Sequence, residues 1–331
     1  MTASPTYPPR TAPNPPLSLR PLALAVLAGA AHAQPSSPDG PAAFVSVSYL
    51  ESDGFYGFTG GLDADVLTLR LGAEAPVLRR PGLPGRLGPA LTVGLALQAA
   101  DFSAVPFRSG LRAQSAELYG RVSRPLGRAD VAATAGFVLD VGPEFEDDDG
   151  VADDPDTPFP NSDMRDAIRL GVAVAVPAGR TRLSGSVEGV RLFPVTYVVL
   201  SGSGVPGVPD VPLELATVGG HYLNGHVGFA VPLPDRFEAG LRVVAVRRTE
   251  EREEATDCEG DCTNNTVGPR YVVGLVPHIG LSRPGSPVSF TLAGEAPAGF
   301  FGEHGRYGFG LVGSGEPKAR LPVTFSARYA L

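Results

Sequence analysis

The last eleven residues of the chain, Leu321–Leu331, read LPVTFSARYAL and alternate between two kinds of side chain. Apolar side chains recur at every second position: Val323, Phe325, Ala327, Tyr329 and Leu331. The positions between them hold Thr324, Ser326, Arg328 and Ala330. A period of two is typical of a β-strand whose two faces meet different environments. The stretch therefore predicts a strand with one apolar face.

The same alternation recurs along most of the chain, for example in VLTLRLGAEA (66–75), LTVGLALQA (91–99) and AIRLGVAVAV (167–176). One face of each predicted strand carries Leu, Val, Ile or Phe, and the other carries Gly, Ala, Ser or Thr with an occasional charge. The solvent face of a soluble β-sandwich usually carries Lys and Glu, and this chain has almost no Lys. A transmembrane barrel instead turns its apolar face to lipid and its small or polar face inward.

The connections between the predicted strands fall into two classes. One class is short, often basic and rich in Pro and Gly: RRPGLPGR, SRPLGRAD, PAGRT, PLPDR and SRPGSP. The other class is mostly longer: 50–62, 103–112, 143–163, 200–213, 249–268 and 298–317. Five short turns and six long loops predict about twelve strands, with ten or fourteen as alternatives. The predicted spans are 42–50, 62–77, 89–102, 112–124, 130–142, 164–177, 181–199, 214–232, 236–249, 268–281, 287–297 and 318–331.

Taken together, these features make residues 42–331 resemble the bacterial outer-membrane β-barrel proteins. The resemblance implies an all-β fold: a closed antiparallel up-and-down transmembrane barrel in the bacterial outer membrane. Its short turns would face the periplasm and its long loops the exterior. It also implies that the last strand pairs with the first and is read by the barrel-assembly machinery through Phe325 and Tyr329. Leu331 stands where that family usually has an aromatic residue.

The N-terminus predicts export. Arg20 precedes an apolar run from Leu22 to Ala31, and Ala31-His32-Ala33 provides a small-residue cleavage site. We therefore expect residues 1–33 to be an N-terminal extension and signal peptide, and 34–41 a short linker to the barrel. The net charge of −8 argues against a nucleic-acid partner.

The function that these patterns favour is a narrow porin-like channel, or a structural or surface-interaction barrel. The alternatives are a lipid-acting barrel enzyme and a soluble exported all-β binding protein. Catalysis is disfavoured because His221, Asn224 and His226 have no serine two residues away. We expect no enzyme. Six charged residues fall on the predicted interior face: Arg70, Glu74, Asp140, Arg169, Glu188 and Arg242.

One acidic loop carries a metal-binding pattern. DDDGVADDPD (147–156) resembles the core of calcium-binding thrombospondin type 3 repeats. The resemblance implies Ca²⁺ ligands at Asp147, Asp149, Asp153 and Asp156. Gly150 would permit the sharp turn that such loops make. The alternative is a solvated loop whose carboxylates repel one another.

The chain holds two cysteines, Cys258 and Cys262, in the stretch CEGDC. Exported proteins meet oxidising conditions, so we interpret the pair as a small disulfide that closes a loop. A metal pair is the weaker alternative.

Overall fold

The structure is a computed structural model that describes residues 40–52, 64–79, 90–104, 107–141, 165–201, 211–255, 263–282, 286–294, 296–302, 305–308 and 323–330. Its first nine strands are β1 (Ala42–Ser52), β2 (Ala64–Arg79), β3 (Ala90–Ala104), β4 (Phe107–Leu126), β5 (Ala129–Asp140), β6 (Ala167–Ala178), β7 (Thr181–Leu192), β8 (Val195–Ser201) and β9 (Val211–Gly219). The remaining strands are β10 (Tyr222–Pro232), β11 (Phe237–Arg248), β12 (Glu251–Ala255), β13 (Thr263–Val267), β14 (Arg270–Ser282), β15 (Val288–Gly294), β16 (Ala296–Gly302), β17 (Gly305–Gly308) and β18 (Val323–Ala330).

Twelve strands close into an antiparallel barrel. Their order is β1-β2-β3-β4-β5-β6-β7-β10-β11-β14-β15-β18, and β18 pairs with β1. In that seam Val47 lies opposite Phe325, and Ala43 lies opposite Tyr329. Closure pairs the backbone groups that an open sheet would leave at its edges, which is what lipid requires. The predicted fold class, the twelve strands and the pairing of the last strand with the first are confirmed.

The apolar face of the barrel points outward and remains exposed in the isolated chain. Leu170 is 61% exposed, Val227 is 64% exposed and Leu95 is 52% exposed. A soluble protein rarely leaves so many contiguous apolar side chains in water. A bilayer covers such a band, because lipid tails are as apolar as these side chains.

The described residues include no helix that is long and apolar enough to cross a membrane.

A second sheet continues the barrel wall beyond one rim. Strands β8, β9, β12 and β13 form it, in the same order as the barrel strands β7, β10, β11 and β14 from which they continue. This wall contains two long hairpins. Each of their four strands is therefore interrupted once, near residues 193–194, 220–221, 249–250 and 268–269. The predicted strands 181–199 and 214–232 each contain one of these breaks. We call the four-stranded sheet the outer sheet.

One further detail of the predicted layout changes. The expected long loop at 103–112 is wrong, because β3 extends to Ala104 and β4 begins at Phe107. Register shifts at Gln98/Ala99 and Asp101/Ser103 absorb the irregular residues that resembled a loop.

Candidate functional site

The interior face of the barrel alternates long charged side chains with small residues from strand to strand. Strands β2, β4 and β6 contribute buried Arg and Glu side chains, and the strands between them contribute small residues such as Ala96 and Gly136. At Gly94 on β3 an added Cβ atom would run into the ring of Tyr119. The small residues therefore make room for side chains that lie flat against the wall. This arrangement lets charges on alternate strands meet across an intervening strand.

The first group of interior charges centres on Glu74. Arg121 lies 2.7 Å from Oε2 of Glu74, and the hydroxyl of Tyr119 donates to the same oxygen at 3.1 Å. Arg328, from the last strand, pairs with Oε1 of Glu74. The group joins β18, β2 and β4 and so spans the closing seam of the barrel. The Glu74 side chain is only 1% exposed.

The second group is a chain of four residues. Glu117 accepts from Arg70 at 2.5 Å and from Arg169 at 2.7 Å. Arg169 in turn donates to Glu188 at 2.6 Å. These residues lie on β2, β4, β6 and β7, so the chain crosses much of one half of the interior. A buried charge requires a partner of this kind, because its desolvation is costly.

The adjoining part of the wall carries a serine and a histidine that the sequence does not place together. Ser186 and His226 lie on β7 and β10, directly opposite one another, with Oγ and Nδ1 2.5 Å apart. A catalytic triad needs a carboxylate on the second ring nitrogen of its histidine. Among the described residues, no carboxylate is hydrogen-bonded to His226. The pair is a hydrogen-bonded interior contact, and its surroundings do not match a triad.

An apolar layer lies next to the charged residues on this wall. It consists of Ala167, Leu192, Tyr222, Val244, Val246 and Val276. Leu192 lies opposite Ala167, two pairs along the strands from Val190 and Arg169. These two residues lie between Arg169 and the rim that carries the outer sheet, whereas Val244 lies opposite His226. Apart from the hydroxyl of Tyr222, the side chains of the layer offer water no hydrogen bonds.

A third buried charge cluster joins the outer sheet to the barrel. Glu251 accepts from Arg248 at 2.6 Å and from Arg165 at 2.9 Å. Arg165 also donates to the carbonyl oxygens of Thr217 and Gly219, and Arg248 lies over the ring of Tyr222 at 5.3 Å. Gly219 has φ +80, and an added Cβ atom there would meet the Glu250 carbonyl oxygen. The junction between β9 and β10 thus requires a glycine at position 219. Arg165, which precedes β6, holds this junction through its hydrogen bonds to the two carbonyl oxygens.

Five of the six interior residues that the sequence predicted lie inside the barrel: Arg70, Glu74 and Arg169 are buried, and Glu188 and Arg242 are partly buried. Asp140 lies at the exposed outer end of β5, where its backbone N–H donates to Asp166. The candidate calcium ligands Asp147, Asp149, Asp153 and Asp156 lie outside the described residues. So do Cys258 and Cys262 and the predicted signal peptide. Among the described residues, no group of three or more His, Cys, Asp or Glu has the arrangement of a metal site.

Several interior residues were not singled out from the sequence. Glu117 and Arg121 alternate with Ala116, Leu118 and Val122 on β4, so the period-two pattern did contain the signal for them. Arg165, Arg248 and Glu251 lie at the ends of strands, where alternation gives no information. The Ser186–His226 pair depends on the register between β7 and β10, which the sequence does not specify.

No protein-family model matches the chain, and no curated protein matches it significantly. Among solved structures, an outer membrane channel from Pseudomonas putida has a TM-score of 0.60 at 9% identity, over 89% of this chain and 97% of that one. The transport unit of the autotransporter AIDA-I from Escherichia coli has a TM-score of 0.45 at 9% identity, over 89% and 92% of the two chains. The TodX deltaS2S3 mutant, a monoaromatic hydrocarbon channel, also has a TM-score of 0.45, at 8% identity, over 89% and 91%.

The first of these likenesses matches the closed barrel described above. Together with the exposed apolar outer face, it shows that the chain has the fold of a transmembrane β-barrel.

Proposed function

We propose that this barrel lies in the bacterial outer membrane and is a narrow porin-like channel. The observation that carries the proposal is the polar interior face of a twelve-stranded closed barrel. Eight strands leave an interior just wide enough for side chains to fill, whereas sixteen-stranded porins leave an open aqueous channel. Twelve strands lie between these sizes. The charged groups and the apolar layer constrict the interior, so the pore is expected to be small.

The proposal is tested by reconstituting the purified protein in planar lipid bilayers. Discrete small conductance steps are expected, and detergent carried through the same purification without the protein serves as the control. Correct folding is established beforehand by the slower gel migration of the boiled protein relative to the unboiled protein. If the folded barrel gives no conductance, the channel proposal is wrong, and a structural or surface-interaction barrel is favoured.

An enzymatic role is not part of the proposal. In the described Ser–His contact, Ser186 with His226, no carboxylate of the described residues is hydrogen-bonded to the histidine, as a catalytic triad requires. A lipid hydrolase would also require its nucleophile on the outer face, where lipid lies, and Ser186 shares the interior face with Glu188.

The C-terminal strand supports a partner proposal. Phe325 and Tyr329 lie on the exposed outer face of β18, and Phe325 stacks on Phe290 with ring centroids 5.9 Å apart. We propose that the barrel-assembly machinery reads these aromatics. Replacing both with serine is expected to reduce the amount of folded barrel in outer-membrane fractions while leaving export unchanged. Equal amounts of folded barrel would contradict the proposal.

Two loop proposals rest on sequence alone. Calcium binding by 143–163 is tested by titrating the protein with Ca²⁺ and comparing the Asp147→Asn/Asp149→Asn variant. Loss of binding in the variant supports the site, and unchanged affinity or no binding at all contradicts it.

The second concerns the Cys258–Cys262 disulfide, which falls in the connection of the β12–β13 hairpin. It predicts that thiol alkylation of the denatured protein occurs only after reduction. Labelling without reductant would exclude the bond.

A further inference from the structure

The barrel interior carries different kinds of side chain on its two sides. On β2, β4, β6 and β7 the interior face holds the ion-paired arginines and glutamates described above. The strands β1, β18 and β15 adjoin one another across the closing seam, and their interior faces hold mostly short side chains. We call the interior faces of these three strands the seam wall.

Hydroxyl groups are the main polar groups of the seam wall. Among the interior positions whose side chains the structure describes on these strands, serine and threonine occupy six: Ser46, Ser48, Ser289, Thr291, Thr324 and Ser326. Alanine occupies three more, and the remaining two hold Phe44 and Arg328. An added Cβ atom at Gly72 of β2 would meet the Phe44 ring, and Arg328 pairs with Glu74 of β2. Both long side chains therefore lean toward β2, and the wall on β18 and β15 is lined by short ones.

The hydroxyls of β1 and β18 are joined in pairs across the seam. The Oγ atoms of Ser46 and Ser326 are 3.1 Å apart, and Ser48 Oγ is 2.9 Å from Thr324 Oγ1. Each hydroxyl has one O–H donor and two acceptor lone pairs. A pair that shares one hydrogen bond therefore keeps one O–H and further lone pairs for water or a solute.

The hydroxyls of β18 and β15 are also more accessible than the central pair of the charged network. Thr291, Thr324 and Ser326 are half-buried, whereas the side chains of Glu117 and Arg169 are each 8% exposed. The open part of the interior therefore reaches the seam wall, while the paired charges are packed against one another.

A second observation indicates that the interior holds water or a polar solute. The side-chain oxygen Oδ1 of Asn224 has no hydrogen-bond partner among the described residues, although Asn224 is only 8% exposed. Asn224 lies on the interior face of β10, opposite Glu188 at the edge of the charged network. Buried acceptors are nearly always satisfied, so this oxygen requires a donor from a molecule in the interior.

We propose that solutes cross the barrel along the seam wall, with the charged network as the fixed opposite side of the route. This inference rests on the proposed channel function. The network side chains stay in place because moving one of them would break a buried ion pair. The solutes are small hydrophilic molecules, since the hydroxyls can replace the hydrogen bonds that such molecules make to water.

The test places single cysteines in the barrel and measures their reaction from the aqueous phase. The background carries serine in place of Cys258 and Cys262, so that each variant has one thiol. Thr291→Cys and Ser326→Cys put the thiol at two positions that lie opposite one another on the seam wall. A membrane-impermeant cationic methanethiosulfonate reagent is added to the conducting channel, and mass spectrometry of the folded protein counts the attached labels.

Two alanines of β5 provide matched controls. Ala132→Cys lies on the interior face at a position that is 3% exposed, and Ala135→Cys lies on the outer face that lipid covers. Each variant is first shown to be folded by gel mobility and to conduct before the reagent is added.

Thr291→Cys and Ser326→Cys are each expected to gain one label and to lose conductance in a single step. Both controls are expected to keep their conductance. If the reagent changes the conductance of neither seam variant, or lowers that of Ala132→Cys equally, the seam wall is not the route, although the channel remains. A folded barrel that never conducts would remove the channel and the route together.

Discussion

The guanidinium of Arg70 and the carboxylate of Glu117 meet at 2.5 Å, although the strands that carry them are separated by β3. They reach each other across β3, where Ala96 lies opposite Glu117 and Gln98 lies opposite Arg70, so the small side chain of Ala96 leaves room for the pair. The sequence of one strand thus permits an ion pair between its two neighbours. The stability of this half of the barrel is expected to depend on both the charges and the small residues.

Glu117→Ala is expected to be strongly destabilising. It leaves Arg70 and Arg169 buried without the carboxylate that binds both, and breaking a buried pair costs about 3–5 kcal/mol. The free energy of unfolding is measured by urea titration in detergent, with gel mobility reporting the folded barrel. Glu238→Gln, at an exposed position of β11, is the control and is expected to change it by less than about 0.5 kcal/mol. Equal effects in the two variants would contradict the role of Glu117.

Gly94→Ala is expected to destabilise the barrel by about 1–3 kcal/mol, because the added methyl group enters the space of the Tyr119 ring. Gly120→Ala is a matched control one strand away, because an added Cβ atom there meets nothing within 4 Å. It should be neutral or slightly stabilising. If the two substitutions shift the urea midpoint alike, the packing of Tyr119 over Gly94 does not contribute to stability.

Glu251→Gln is expected to loosen the outer sheet from the barrel. The neutral amide leaves Arg165 and Arg248 without their shared negative charge at the point where the wall breaks. Faster protease cleavage within residues 195–267, with the barrel itself intact, is the expected readout. Glu250→Gln alters the adjacent residue, which forms an exposed pair with Arg252, and should not change the cleavage rate. Unchanged cleavage in Glu251→Gln would exclude this role.

The outer rim is also expected to respond to pH through His221, which lies between β9 and β10. Burial, with Arg165 and Arg191 nearby, lowers the pKa of His221 from its ordinary value of 6.5. Its Nδ1 accepts from the backbone N–H of Leu192 at 3.2 Å, which requires that nitrogen to be unprotonated. Because the folded pKa is lowered, this stabilisation is complete above about 6.5 and is lost as the pH falls through the folded value.

Protease cleavage of the outer sheet in wild-type protein should therefore become faster as the pH falls below about 6.5. The His221→Asn variant should lose much of this pH dependence. An acid response of the same size in the variant would assign it to other groups.

The barrel could be predicted from the sequence because, in the spanning strands, apolar side chains on the outer face alternate with small or polar side chains on the inner face. The pairing of Val47 with Phe325, for example, follows from the apolar faces of the first and last strands. Near the strand ends, where the strands leave the membrane, alternation no longer predicts the structure. Residues 103–112 appeared to be a loop because bulges at Gln98/Ala99 and Asp101/Ser103 shift the pattern within paired strands.

The interior contacts were harder to predict than the strands. Alternation places Arg70 and Glu74 on the interior face but does not specify which residues lie at the same height. The pairing of Arg328 with Glu74 and the contact of Ser186 with His226 depend on strand register. A shift of two residues in the register of one strand would leave each of its side chains on the same face but would give each a different partner on the neighbouring strands.

The most direct test of the constricted channel compares single-channel conductance in the wild type and in the double variant Glu117→Ala/Arg169→Ala. Removing both residues deletes two interior side chains without changing the net interior charge, because one carboxylate and one guanidinium are removed together; Arg70 and Glu188 each lose one ion-pair partner. Both proteins are first shown to be folded by gel mobility. Small discrete steps are expected for the wild type and larger steps for the double variant. No steps from either folded protein, or steps of the same size from both, would contradict the constricted channel.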